Sequence, residues 1–185
     1  PMPARDETAG VAAVARTLAR LAEERPQTVA ELASTLGLSR STAFAVAAEL
    51  DAAGLVERDA SGVLAPGPAA ARLALARFGF GAMAEASESL VSALRDDTDA
   101  SVALLLSDGE STVIAAQRRA PWDQEGGRTP RQITADIGRS ASGHTAALRL
   151  SLRPNASETE VRSAGACLDR VAAALAASLG GASHD

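Results

Sequence analysis

The sequence has no tyrosine, one tryptophan and three phenylalanines, so aromatic residues make up only 2% of its 185 positions. A core built from it must rest on leucine, valine and alanine, with close helix contacts and little aromatic mass. The single cysteine, Cys167, excludes an internal disulfide and fits a cytoplasmic location. It sits among apolar neighbours at helical spacing, where it reads as buried filler rather than as a reactive thiol. No run of 18 uncharged apolar residues occurs, which argues against a membrane-spanning helix. No basic stretch leads into an apolar one near the start, so no signal peptide is expected, and Pro1 ahead of Met2 reads as a remnant of a cleaved tag.

Histidine is nearly absent too, with His144 and His184 only. That makes a histidine-based metal cluster or catalytic triad improbable. The sequence also lacks an HExxH run, a phosphate loop and a nucleophile elbow. The expectation is a protein that is not an enzyme and carries no metal or cofactor. Lysine is missing altogether: all 18 basic residues are arginine, against 23 acidic ones, for a net charge of −5. This balance argues mildly against a large nucleic-acid footprint, although basic groups gathered on one face still permit DNA binding. Hydrophobic residues at 46% exclude a wholly disordered chain. The length admits one large domain or two small ones, and small cores of that kind lean on a partner surface, so a homo-oligomer is expected.

Residues 9–25 place Val11, Val14, Leu18 and Leu21 at spacings of three and four, which predicts an amphipathic helix ended by Pro26. Thr28 and Glu31 form a capping-box pair for a second helix that buries Val29, Leu32 and Ala33 and ends at Gly37. Ser39 caps a third helix with Ala43, Val46, Ala47 and Leu50 on its inner side, ending near Gly54. Two short helices joined by a tight turn and preceded by a longer helix make the helix-turn-helix arrangement, whose rigidity lets one helix enter a major groove. Leu55 and Val56 then begin a strand, Asp59 to Gly62 turn, and Val63 to Ala65 return before Pro66. That hairpin is a wing, and the ordered set within residues 8–67 predicts a winged helix-turn-helix domain.

Residues 68–98 read as linker helices, with Leu73, Ala76, Phe80 and Met83 on one apolar surface, a bend at Gly79 and Gly81, and Leu90, Val91 and Leu94 continuing the stripe. The surface serves either a core or a second copy of the chain. Residues 99–181 read as an α/β domain. Two strands flank a DG turn within residues 101–119, and the first is apolar on both faces. Residues 121–143 read as loop with one short strand at Arg131 to Ala135. Leu148, Leu150 and Leu152 alternate in a further strand, and residues 159–179 form a final helix.

Over VAELASTLGL (Val29–Leu38), RSTA (Arg40–Ala43) and LDAAGLVER (Leu50–Arg58), the chain resembles the IclR family of bacterial transcriptional regulators. The resemblance implies a mixed α/β architecture: an N-terminal winged helix-turn-helix, a linker helix, and a reduced GAF-like α/β C-terminal domain. The reduction falls between about Arg119 and Thr145, where two alignments are open. It also implies repression, with the chain bound to double-stranded DNA at a pseudo-palindromic operator as a homodimer or dimer of dimers, and modulation by a small carboxylate-like effector.

Arg40, in the first turn of the third helix, is the best placed group for a guanine or a phosphate. Ser39, Ser41 and Thr42 either donate to phosphates and base edges or serve only as caps and solvated hydroxyls. Arg58 is a wing contact or a solvated strand residue, and Thr28 presents backbone N–H groups to a phosphate or only caps its helix. Phe44 and Ala45 stand where chains of this kind usually carry a polar or basic pair. Residues 1–67 hold six arginines against nine acids, while residues 118–153 hold seven against three. Arg118, Arg119, Arg131, Arg139 and His144 are therefore the candidates for holding an anionic effector; otherwise they are a solvated face, with His144 an ordinary hydrogen-bonded residue. The rival reading is a protein-interaction module that has kept the winged helix and lost specific DNA or effector binding.

Overall fold

The computed structural model describes residues 4–21, 27–58, 62–124 and 129–180. It divides into two compact units, residues 1–70 and 71–185.

In the first unit, α1 (Ala4–Leu21), α2 (Val29–Leu36) and α3 (Arg40–Ala52) surround a core of Ala13, Leu21, Leu32, Ala43, Val46, Ala47 and Leu50. The inward face of α1 is set by Ala13, Thr17 and Leu21, spaced by four. Val11, expected on that face, is instead 70% exposed. Residues two apart on an α-helix point about 200° apart, so with Ala13 turned inward Val11 faces outward. The expected end of this helix at residues 22–26 lies outside the described residues, as does the wing turn at 59–61.

Gly37 ends α2 at φ 63, the left-handed conformation that glycine adopts without cost, and its N–H bonds back to Ala33 and Ser34. Beyond α3, β2 (Val56–Arg58) and β3 (Val63–Pro66) form the wing, in which Val56 lies opposite Pro66 and Arg58 opposite Leu64. A third strand that the sequence pattern does not signal, β1 (Gln27–Thr28), pairs with the other edge of β3. Two residues are too few to carry an alternating pattern, which is why periodicity misses it.

The second unit holds the end of α4 (Pro68–Arg77), 3-10 turns at Gly81–Met83 and Pro121–Gln124, α5 (Ala84–Thr98), and the sheet formed by β4 (Ser101–Ser107), β5 (Thr112–Arg118), β6 (Arg131–Arg139) and β7 (Thr145–Leu152), followed by α6 (Glu158–Gly180). Its strand order is β5-β4-β7-β6, antiparallel throughout. One sheet face meets the helices: Val102, Leu104, Leu106, Leu148, Leu150 and Leu152 pack with Val91, Leu94, Leu168 and Leu175. Residues expected to link the domains are thus part of this core, since Leu75, Phe78, Phe80 and Met83 are all buried in it. Leu73, expected among them, is 65% exposed and Ala76 is exposed as well.

The strand expected at Arg131 to Ala135 runs on to Arg139, through an irregularity at Asp136 and Gly138. The bulge shifts the alternation by one residue, so a period-two reading stops short. Cys167, expected to be buried, is half-buried, and the Arg170 guanidinium donates to its Sγ at 3.1 Å. Among the described residues, no helix is long and apolar enough to cross a membrane.

Candidate nucleic-acid interface

The second helix of the motif is fixed by a complete capping box. The Thr28 N–H donates to Glu31 Oε2 at 2.8 Å, its hydroxyl donates to the same oxygen at 3.0 Å, and the Glu31 N–H donates to Thr28 Oγ1 at 3.3 Å. The donation from the Thr28 backbone, and after it that from the hydroxyl, holds the Glu31 carboxyl below the usual carboxylate range. A depressed carboxyl stabilises the fold above its unfolded pKa, and that contribution is lost as pH falls through the lower folded value. Thr28 therefore spends its hydrogen-bonding capacity inside the chain.

Ser39 does the same for α3. Its Oγ accepts from the Thr42 N–H at 3.1 Å and lies 2.9 Å from Ser41 Oγ and 2.8 Å from Thr42 Oγ1. The three hydroxyls make one exposed cluster at the helix start, with Ser39 as the cap at its centre. Replacing either cap residue, Thr28→Ala or Ser39→Ala, is expected to cost about 1 kcal/mol. Thermal melts followed by circular dichroism should show the winged-helix transition several degrees lower in each case, with the second unit's transition unmoved.

These caps orient the outer surface of α3. Ala43, Val46, Ala47 and Leu50 are buried, while Arg40, Ser41, Phe44, Ala45 and Ala48 are exposed. Arg40 makes no hydrogen bond or ion pair with any described residue, so its guanidinium is free to meet an incoming acceptor. Arg58, at the end of β2, is exposed and lies over the Phe44 ring at 5.9 Å from its centroid. The wing arginine and the helix aromatic are thus one unit, which strand and helix patterns read separately do not reveal. Phe44 is 46% exposed. Arg58 meets α3 through Phe44, Ser41 and Thr42 share the hydroxyl cluster at the helix start, and Arg40 is exposed in the same first turn, whereas Thr28 and Ser39 act as caps.

In the second unit the five expected anion-holding residues do not converge. Arg131 and Arg139 stand at opposite ends of β6, roughly 26 Å apart at the rise of an extended strand. Arg131 pairs with Glu158 at 2.9 Å and donates to the Ala156 carbonyl at 3.1 Å, while Arg139 donates to the Gly143 carbonyl at 2.6 Å. Arg118 donates to the Gln117 carbonyl at 3.1 Å, and Arg119 is exposed. His144 lies edge-on to Phe78, ring centroids 5.1 Å apart, with Nδ1 3.2 Å from the Phe78 carbonyl and 3.0 Å from Ser142 Oγ. Its ring is thus engaged by its own turn and by Phe78.

A different arginine occupies the middle of the sheet. Arg149 on β7 lies opposite Ala103 on one side and Thr134 on the other. It sits on the face away from the helices, because Leu148 and Leu150, its neighbours in the strand, point into the helical core. Its Nε is buried and has no hydrogen-bond partner among the described residues. A buried donor left unmet is costly. The sequence signal is a lone arginine at the off-phase position of a Leu-alternating strand.

The fold defined by these elements is a winged helix-turn-helix joined to a four-stranded α/β unit. The MarR family model matches residues 12–63. Among solved structures, the chain is similar to the Thermotoga maritima IclR at 14% identity, covering 90% of this chain and 97% of that one, with a TM-score of 0.47. It is similar to an IclR transcriptional regulator from Alicyclobacillus acidocaldarius at 16% identity, covering 92% and 98%, with a TM-score of 0.47. A third is an IclR homolog from Microbacterium hydrocarbonoxydans complexed with 4-hydroxybenzoate, at 16% identity, covering 94% and 100%, with a TM-score of 0.41. No curated protein matches the chain.

Proposed function

We propose that the chain is a DNA-binding transcriptional regulator of the IclR type, acting as a repressor when two copies occupy a pseudo-palindromic operator. The observation that carries this reading is the outer surface of α3, where Arg40 in the first turn has no hydrogen bond or ion pair among the described residues and Arg58 of the wing lies over Phe44. A helix presented this way, braced by α2 through a fixed turn, fits a major groove, and a two-fold related pair reads half-sites about one helical turn apart. DNase protection on the DNA upstream of the coding sequence tests it. The expected result is a protected dyad of that spacing; protection no different from that of unrelated DNA contradicts it.

The second unit takes a small carboxylate-bearing effector at Arg149, whose unmet donor is the reason for placing it there. Binding that favours one arrangement of the two reading helices over another alters operator affinity. In thermal-shift measurements with a panel of small mono- and dicarboxylates, at least one is expected to raise the melting temperature of the wild type and to leave Arg149→Ala unmoved. Equal shifts in both would place the effector elsewhere.

A second reading, a protein-interaction module, draws on the acidic excess of residues 1–67 and the exposed Phe44. It predicts no protected dyad.

A further inference from the structure

Phe44 is the one large apolar side chain that α3 leaves exposed, and its neighbours on the outer surface, Ser41, Ala45 and Ala48, are all small. The ring therefore protrudes from a surface otherwise free of bulk. Arg58 covers it at 5.9 Å, and Arg40 lies one helical turn before it on the same flank. An aromatic group under one guanidinium, with a second arginine a turn earlier on the helix, is suited to a polyanion rather than to an apolar protein surface, which would have to desolvate both cations. In the major groove of DNA, the apolar group that projects from the base edges is the 5-methyl of thymine, and phenylalanine is among the side chains that contact it.

We propose that Phe44 is a specificity-determining residue that reads a thymine 5-methyl group, while Arg58, lying over its ring, holds an adjacent backbone phosphate. This rests on the DNA-binding reading above. The cation on one ring face fixes the side chain against the wing and leaves the ring edge to meet the methyl. The usual polar reading at this point of the helix is thereby replaced by a contact of shape and apolar area, which discriminates thymine from cytosine without a hydrogen bond.

The experiment uses the full chain and duplexes enriched from a random-sequence library. Each thymine of an enriched duplex is replaced in turn by deoxyuridine, which removes only the methyl group, and binding is read by fluorescence anisotropy for the wild type and for Phe44→Ala. At one position in each half-site the wild type is expected to bind about three- to fivefold more weakly to the uracil duplex, the amount a buried methyl contributes. Phe44→Ala is expected to bind both duplexes alike at that position, with an unchanged thermal melt. A wild type indifferent to every replacement, or a variant that keeps the same penalty, overturns the assignment while leaving the DNA reading intact. Failure to enrich any sequence contradicts the DNA reading itself, and the assignment falls with it.

Discussion

Replacing Arg40 by alanine is expected to weaken operator binding by about 1–3 kcal/mol for each half-site, at least tenfold for a dimer, while leaving the thermal melt of the chain in place. The two halves of that result have the same cause. Arg40 is exposed and makes no hydrogen bond or ion pair with the described residues, so its loss strands no partner and opens no cavity. The cap of α3 belongs to Ser39, whose Oγ accepts from the Thr42 N–H, and is untouched by the change. The manner of the loss separates the two roles open to the guanidinium. A base contact relaxes the preference at one position of the site. A phosphate contact weakens all sequences alike and lowers the salt slope by about one for each half-site. Anisotropy titrations of wild type and variant against single-substitution duplexes distinguish these. An unchanged affinity would remove Arg40 from the interface.

Gly67→Ala is expected to be the most destabilising small substitution in the winged-helix unit. A Cβ at this position would lie 2.5 Å from the Gly54 carbonyl oxygen and 2.9 Å from the carbonyl carbon and oxygen of Val56. These are backbone atoms, and both segments are held: the Gly67 N–H bonds to Leu55 at 3.0 Å, and the Ala69 N–H bonds to Gly54 at 2.8 Å. No side chain can rotate away to make room, so either β3 must separate from β2 or the start of α4 must shift. Overpacking of this kind costs about 1–3 kcal/mol, and a backbone-on-backbone overlap belongs at the upper end. Denaturant unfolding of the full chain should show an earlier first transition; a midpoint equal to that of the wild type would mean that the turn has room the packing does not indicate. Because the wing carries Arg58, the same variant should also lose DNA affinity.

The winged helix was legible because its determinants are local. The Thr28 and Glu31 box, the left-handed Gly37 and the Ser39 cap each act within four residues, and each stands in the structure as the spacing implies. The stripe of α1 was less legible, since Val11 looks like core by type while the small Ala13 and the polar Thr17 are the residues that are buried. Long-range pairing was harder still. The strand at residues 27–28 exists only because β3 has an open edge for it, and β6 extends past a bulge that no alternation predicts.

For the interface, Arg40 and Arg58 were readable from position along the motif, but the placing of Arg58 over Phe44 joins residues fourteen apart and needs the folded wing. In the second unit, charge density along the sequence pointed to five residues that strand geometry disperses. Arg149 is hard to read from charge density, because one arginine among leucines counts for little in a net charge. Its importance comes from the sheet on either side of it.

The most direct test of the central claim is the affinity of the full chain for its enriched duplex and for a scrambled duplex of the same composition, measured by anisotropy across roughly 50 to 200 mM salt. The account predicts tighter binding to the enriched duplex at every salt concentration, with both affinities falling as salt rises and the preference between them retained. Equal affinities for the two duplexes, or binding indifferent to salt, would contradict it.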